Sequence, residues 1–264
     1  MNRIPKATGF PALSYYNRKL DKRAIKVFNT DMLTDSVSGH RTKNPPVLFF
    51  VSIAGALLNV LVGHFLRNLL GIPLYLDTAL TMTVTFYGGV FWGVLTGALT
   101  NLIMQSIFFY GFPHYLYALC NIAVALVTAV FIRWFPQELH IDGAEKPLPQ
   151  GHRPSQWQSQ WLQDLMGRAI VLVILSFALC LVISVLGGLC ALIIKGFDPQ
   201  VHDPIDPELN FRLALVRRNL PGIVVEIGSR IPVNLLDRLI SSFAGYGLAA
   251  LLACIGARQP MNDR

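Results

Sequence analysis

Six apolar stretches alternate with polar segments along this chain, and their lengths predict helices that cross a membrane. In chain order they occupy residues 46–70, 74–88, 90–108, 115–134, 168–194 and 233–256. Crossing the hydrocarbon of a bilayer takes about 20 apolar residues. The second and third stretches are shorter than that, and Gly88 and Gly89 between them predict a tight turn.

The distribution of basic residues decides whether residues 74–108 form one helix or two. Residues 1–45 carry nine Lys and Arg against three Asp, which predicts a cytoplasmic tail. With two helices the linker 135–167, flanked by Arg133 and Arg168 and carrying four Lys and Arg with them, also lies in the cytoplasm, whereas with one helix it would lie outside. The sequence therefore predicts an all-α polytopic membrane protein with six transmembrane helices, both termini cytoplasmic, and residues 195–232 as an extracytoplasmic connection.

The composition fits a membrane domain and not a nucleic-acid-binding protein. Of the 264 residues 53% are hydrophobic and only 14% are charged, whereas soluble proteins carry about 25% charged residues. The net charge of +7 comes from tails and loops rather than from one soluble face, so we expect no nucleic-acid partner. We expect a six-helix domain over residues 46–258, in contact with lipid, in the inner or plasma membrane of the cell.

The polar segments carry weaker patterns of their own. Residues 18–28 place apolar side chains on one helical side and cations elsewhere, which fits either a helix lying on an anionic membrane surface or a solvated, disordered tail. In the linker, Trp157, Trp161 and Leu165 recur every fourth residue and predict an interfacial helix that leads into the fifth span. The connection opens with three Asp-Pro pairs, which favour turns, before a helix-compatible piece at 208–219.

Small and polar residues recur every fourth position on two of the predicted helices, a spacing that lets backbones approach closely in lipid. The third stretch carries one such series: Gly89, Gly93, Gly97, Asn101 and Gln105. The first span carries two: Ser52 with Ala56, and Gly55, Asn59, Gly63 and Arg67. These faces predict helix packing, and Arg67 either reaches the outer interface or meets an anionic ligand there.

Two acids, Asp77 and Asp237, lie close to the predicted hydrocarbon, both near its outer side. Asp77 shares a predicted helical face with Thr81, and it is either a functional group or an interfacial helix cap. Asp237 either contributes to a binding site or pairs with Arg230 or Arg238 to hold the preceding loop.

No catalytic or metal centre is evident in the sequence. It contains no HExxH, GxSxG or Walker A motif, and its six histidines have no ligand spacing with one another. The four cysteines lie inside apolar runs without a CxxC pair and are interpreted as packing residues. We therefore expect no enzymatic activity, no metal and no cofactor.

Polar side chains are predicted to converge between the helices in the extracytoplasmic half. Ligand pockets are mostly apolar with a few convergent polar groups, so this pattern indicates capture of a small polar molecule from outside. The candidate substrate-binding residues are Asp77, Thr81, Asn101, Gln105, Tyr110, His114, Asn121, Arg230, Asn234 and Asp237.

Three stretches of the chain resemble a known family of membrane proteins. GIPLYLDTALTMTVTFYGGVFWGVLTGALTNLI, YALCNIAVALVTAV and SRIPVNLLDRLISSFAGYGLA are similar to the substrate-binding S components of energy-coupling-factor (ECF) transporters. The resemblance implies a six-helix protein that binds a vitamin-like solute from outside and works with a membrane coupling subunit and two ATPases. Ser52 and Ala56 occupy the positions at which that family's small residues contact the coupling subunit.

Two other functions remain open at this point. The same fold would suit a membrane sensory or scaffold protein whose basic tail and Trp-bearing linker contact a cytoplasmic partner. An intramembrane enzyme is the least favoured, because no pair of nucleophile and base is visible in the sequence.

Overall fold

The computed structural model describes residues 44–68, 74–108, 112–141, 154–197 and 208–257, which belong to one compact unit. Within these ranges the chain is helical and contains no strand. Five helical stretches there are long and apolar enough to cross a membrane: Pro45–Leu66, Val90–Phe108, His114–Trp134, Leu162–Gly196 and Gly222–Gly256. The prediction of an all-helical, multi-pass membrane protein is confirmed at this level.

Nine α-helices and one 3₁₀ helix make up the described part of the chain. They are α1 (Pro45–Asn68), α2 (Ala79–Gly88), α3 (Val90–Phe108), the 3₁₀ helix (Phe112–Tyr117), α4 (Ala118–Trp134), α5 (Pro136–Leu139), α6 (Pro154–Phe197), α7 (Leu209–Val216), α8 (Gly222–Gly228) and α9 (Ile231–Ala257). Four expectations lie outside what the structure describes: the surface helix at 18–28, the turns at the Asp-Pro pairs, the placement of Tyr110 and the role of the Arg67 side chain.

Helices α2 and α3 form the hairpin that the two glycines predict. Gly89 has a φ of 93°, a left-handed conformation that glycine adopts without steric cost. Four residues further on, a Cβ at Gly93 would lie 2.0 Å from Thr85 Oγ1, so only glycine lets the two helices pack this closely. The region therefore forms two helices, of which α3 alone is long and apolar enough to cross a membrane by itself.

The first helix of the hairpin begins at Ala79, five residues later than the predicted span at 74. Residues 74–78, called here the extended segment, precede it, and Leu76 has a φ of 42°. Positive φ is strained for a side chain branched at Cγ and persists only where surrounding contacts hold it. Asp77 therefore lies on non-helical backbone and does not share a helical face with Thr81.

Contacts between helices define the two ends of the bundle. Leu48 near the start of α1 contacts Gly88, whereas Gly63 near its end contacts the carbonyl oxygen of Tyr75. We call the end of the bundle at Leu48 and Gly88 the Gly89 end, and the end at Gly63 and Tyr75 the Asp77 end. The start of α4 and the end of α6 also lie at the Asp77 end, since Cys190 Sγ contacts the Leu116 carbonyl oxygen.

The hydrophobic core lies where α2, α4, α6 and α9 meet. Its buried members include Met82, Val124, Leu175, Leu179 and Ala249. Helix α6 is continuous over 44 residues, roughly 66 Å at 1.5 Å per residue, so the expected interfacial helix and the fifth span are one element. Large apolar side chains elsewhere on α1, α3 and α6 are exposed, as expected for helices surrounded by lipid.

Candidate polar ligand site at the Asp77 end

One amide side chain on α1 joins the first three helices. Asn59 Nδ2 donates to Thr81 Oγ1 at 3.0 Å and to Thr100 Oγ1 at 3.2 Å, while Asn59 Oδ1 accepts from the backbone N–H of Leu80 at 3.0 Å. Asn59 itself is fully buried. At Asn59 the polar series on the first span therefore serves helix packing, as the pattern predicted. Thr81 is one of the residues that this packing contact uses.

The extended segment is anchored to the first turns of α9. Asp237 Oδ1 accepts from the backbone N–H of Leu76 at 2.8 Å, and Asp237 Oδ2 lies 2.7 Å from Arg238 Nη2. Arg238 Nη1 in turn donates to Thr78 Oγ1. Of the two pairings left open for Asp237, the structure forms the one with Arg238. The result is a fully buried ion pair whose remaining hydrogen bonds hold non-helical backbone in place.

Asp77 is placed differently from Asp237, because only one of its carboxylate oxygens has a partner. Asn121 Nδ2 donates to Asp77 Oδ2 at 3.4 Å. Asp77 Oδ1 is buried and has no hydrogen-bond partner. The N-cap of α2 is Thr78, so Asp77 is not the helix cap that was its alternative role.

A face of α3 continues from this point towards the Asp77 end. A Cβ at Gly97 would lie 2.7 Å from the carbonyl oxygen of Asn121, so α3 and α4 touch backbone to backbone there. Asn101 and Gln105 follow on the same face, about 6 and 12 Å further along the helix axis. Both are buried; Asn101 reaches only the Gly97 carbonyl oxygen at 3.5 Å, and Gln105 Oε1 has no partner.

We call Asp77, Asn101, Gln105 and Asn121 the Asp77 cluster. A buried polar atom without a partner costs roughly 1–3 kcal/mol, so native proteins contain few of them. Asp77 Oδ1 and Gln105 Oε1 are two acceptor oxygens of this kind, and both lie towards the Asp77 end of the bundle. Residues 74–77 and 114–117, called here the rim, are only partly buried.

A second polar group at the same end is an ion-pair network that crosses four elements. Glu208 accepts from Tyr75 Oη at 2.9 Å and from Arg230 Nη1 at 3.2 Å, and it pairs with Arg212 at 3.3 Å. Glu226 pairs with Lys195 and, at 3.5 Å, with Arg212. The network ties the extended segment, α6, α7 and α8 together, and it gives Arg230 a structural partner.

The remaining predicted site residues contact α6, belong to the ion-pair network or lie in the 3₁₀ helix. Asn234 Nδ2 donates to Ser184 Oγ on α6 at 3.0 Å, whereas Asp237 contacts the extended segment. Arg230 Nη2 lies 3.5 Å from Tyr117 Oη as well as beside Glu208. His114 lies in the 3₁₀ helix at the partly exposed rim.

Ser52 and Ala56, the residues expected to contact a coupling subunit, are both fully buried within this chain. Ser52 Oγ donates to the Leu48 carbonyl oxygen and lies 3.4 Å from that of Trp92, so this serine packs against the start of α3. Their contact with another subunit stays a prediction.

Sequence reasoning missed the network at Glu208 and Glu226. A signal was present, because each acid precedes an arginine by four residues, Arg212 and Arg230 respectively. The spacing correctly predicts the pair of Glu208 with Arg212. It does not predict the second arginine, because Arg230 pairs with Glu208 and not with Glu226.

The described residues contain no group of three potential metal ligands. Comparison of the chain with protein-family models, curated proteins and solved structures gave no match.

Proposed function

We propose that this protein is the solute-binding subunit of a small-molecule importer, which captures its substrate at the Asp77 cluster from the extracytoplasmic side. A separate membrane coupling subunit and ATPases would supply the energy. The resemblance to ECF S components favours the same function. The observation that carries the proposal is the pair of buried acceptor atoms without donors, Asp77 Oδ1 and Gln105 Oε1.

Six membrane crossings account best for the chain's charge distribution and helix packing. The extended segment together with α2 supplies a sixth, discontinuous crossing beside the five long apolar stretches. Non-helical backbone at membrane depth is tolerated where protein covers it, and such breaks often form solute sites. This arrangement puts the basic tail and linker in the cytoplasm and the Asp77 end outside.

Because Ser52 and Ala56 are buried, we expect a coupling subunit to use an exposed surface as well. The exposed face of α1 offers one, through Phe50, Leu57, Leu61 and Phe65. A coupling subunit that packs in lipid against this face would not cover the Asp77 cluster, because the extended segment contacts the other side of α1 at Gly63.

The test is retention of a small molecule by the purified protein in the absence of ATP. Mass spectrometry of the denatured wild-type protein is expected to reveal a released small molecule. The Asp77→Asn variant should retain at least about tenfold less, since a hydrogen bond to a charged group contributes about 1.5–3 kcal/mol.

The ligand-free stability of the same variant separates a binding role from a structural one. Asp77 is half-buried and its Oδ1 has no partner, so removal of the charge by Asp77→Asn should leave the free energy of unfolding without ligand unchanged or raise it by up to about 2 kcal/mol. Asp164→Asn, an exposed change on α6, is the matched control and should alter neither quantity. Lower ligand-free stability with unchanged retention would contradict the proposal.

The length of α6 favours a second candidate, a membrane sensory or scaffold protein. Its 44 residues exceed what a bilayer of about 30 Å requires, so one end continues beyond the membrane towards the basic linker. Deletion of residues 1–40 distinguishes the two: solute uptake should survive the deletion in an importer, whereas contact with a cytoplasmic partner should fail in a sensor.

A further inference from the structure

We infer that the solute bound at the Asp77 cluster is an organic cation that bears N–H donors, such as an ammonium or amidinium group. The inference rests on the proposed function and names the chemical class of its substrate. It comes from the balance of charges at the Asp77 end and from the chemistry of the atoms left without partners.

Each carboxylate at this end, with one exception, is matched by a cation within the described residues. Glu208 has Arg230 and Arg212, Glu226 has Lys195 and Arg212, and Asp237 has Arg238. The exception is Asp77, whose one contact is the neutral amide of Asn121. The side chain of Asp77 is half-buried, and its buried Oδ1 lacks both a donor and a compensating charge, so this position favours a positively charged partner.

The neighbouring ion pair strengthens this preference. Asp237 Oδ1 is bonded to the backbone N–H of Leu76, the residue directly before Asp77, so the two carboxylates are neighbours and their charges would repel each other. Arg238, the cation between α9 and the extended segment, is already paired with Asp237 at 2.7 Å. Two carboxylates therefore share one arginine, and Asp77 is left without a cation of its own, a place that a solute cation would fill.

The unpartnered atoms of the Asp77 cluster are hydrogen-bond acceptors. Asp77 Oδ1 and Gln105 Oε1 both need donors, and the Asn121 amide already directs its N–H towards Asp77. A carboxylate or phosphate solute would bring further acceptors to these oxygens and would be repelled by Asp77. An ammonium or amidinium group supplies several N–H donors together with the missing charge.

The nearby arginines do not provide an alternative anion site. Arg230 and Arg238 each have an unpartnered Nε, but the charge of each guanidinium is balanced by Glu208 or Asp237. In the network Arg212, Arg230 and Lys195 share two carboxylates, and Lys195, which pairs with Glu226, has a side chain that is 44% exposed. The cluster consequently selects for positive charge.

The test uses a cell metabolite extract divided by ion exchange into cationic, anionic and neutral fractions. Each fraction is added to purified, ligand-stripped wild-type protein, to Asp77→Asn and to the exposed control Asp164→Asn, and the melting temperature is measured. Sodium chloride alone is compared with choline chloride at equal ionic strength. We expect the cationic fraction to raise the melting temperature of the wild type and the control, but not that of Asp77→Asn.

The other outcomes identify which statement fails. Stabilisation by the anionic or neutral fraction alone would overturn the cation inference and leave solute binding intact. Stabilisation by sodium chloride alone, lost in Asp77→Asn, would make an inorganic cation the occupant and overturn the organic one. Stabilisation of Asp77→Asn by the cationic fraction, equal to that of the wild type, would place the cation elsewhere. If no fraction stabilises any variant, the solute-binding function itself is wrong.

Discussion

The carboxylate of Asp237 accepts a hydrogen bond from the backbone N–H of Leu76 at 2.8 Å, across 161 positions of sequence. This bond attaches non-helical backbone to α9, next to the residue on which the proposed function depends. The extended segment has no helical hydrogen bonds of its own to hold Leu76 at a φ of 42°. The position of Asp77 is therefore set largely by Asp237 and its partner Arg238.

Replacement of Asp237 by Asn should destabilise the protein strongly. The change leaves the buried Arg238 without its counter-charge, which typically costs about 3–5 kcal/mol in the free energy of unfolding. Thermal unfolding in detergent measures the loss, with the exposed change Asp164→Asn as the control. An Asp237→Asn variant as stable as the wild type would show that the ion pair contributes nothing.

Gly97→Ala should separate α3 from α4, because the added Cβ would lie 2.7 Å from the Asn121 carbonyl oxygen. Overpacking of this kind costs roughly 1–3 kcal/mol, and it should also weaken solute retention by displacing Asn121 from Asp77. Unfolding and retention are measured on the same preparations.

The matched control for that change is Gly247→Ala on α9. A Cβ there meets no atom within 4 Å, so the variant should be neutral or slightly more stable through improved helix propensity. Equal behaviour of the two variants would contradict the close approach at Gly97.

The pairing of Glu208 with Arg230 can be measured by a double-mutant cycle. Glu208→Gln and Arg230→Gln should each destabilise the protein, since each leaves a buried charge with one partner fewer. The double variant should lose less than the sum of the single losses, with a coupling energy of about 0.5–3 kcal/mol.

A second cycle that combines Glu208→Gln with Arg217→Gln serves as the control. Arg217 is exposed on the same connection, so its coupling to Glu208 should be close to zero. Strict additivity in the Glu208–Arg230 cycle would show that the two side chains do not interact.

Composition and periodicity determined the class of this protein and much of its helix packing. Apolar stretches of membrane-spanning length predicted the helical, multi-pass character, because backbone in lipid must satisfy its own hydrogen bonds. Glycine spacing predicted the hairpin at Gly89 and the close approach at Gly93, since both depend on local backbone geometry. The importance of Asp77 as a candidate followed from its rarity as an acid among apolar residues.

Only the tertiary structure decided which polar groups meet and which remain without partners. It paired Asp237 with Arg238 and Arg230 with Glu208, turned Asn234 towards Ser184, and enclosed Ser52 within the bundle. The residues around Asp77 are also non-helical in the structure, although helical periodicity had predicted a regular helix face there. Local pattern specifies the face of a helix, but charge pairing depends on contacts between residues far apart in the chain, and those exist only once the helices have packed.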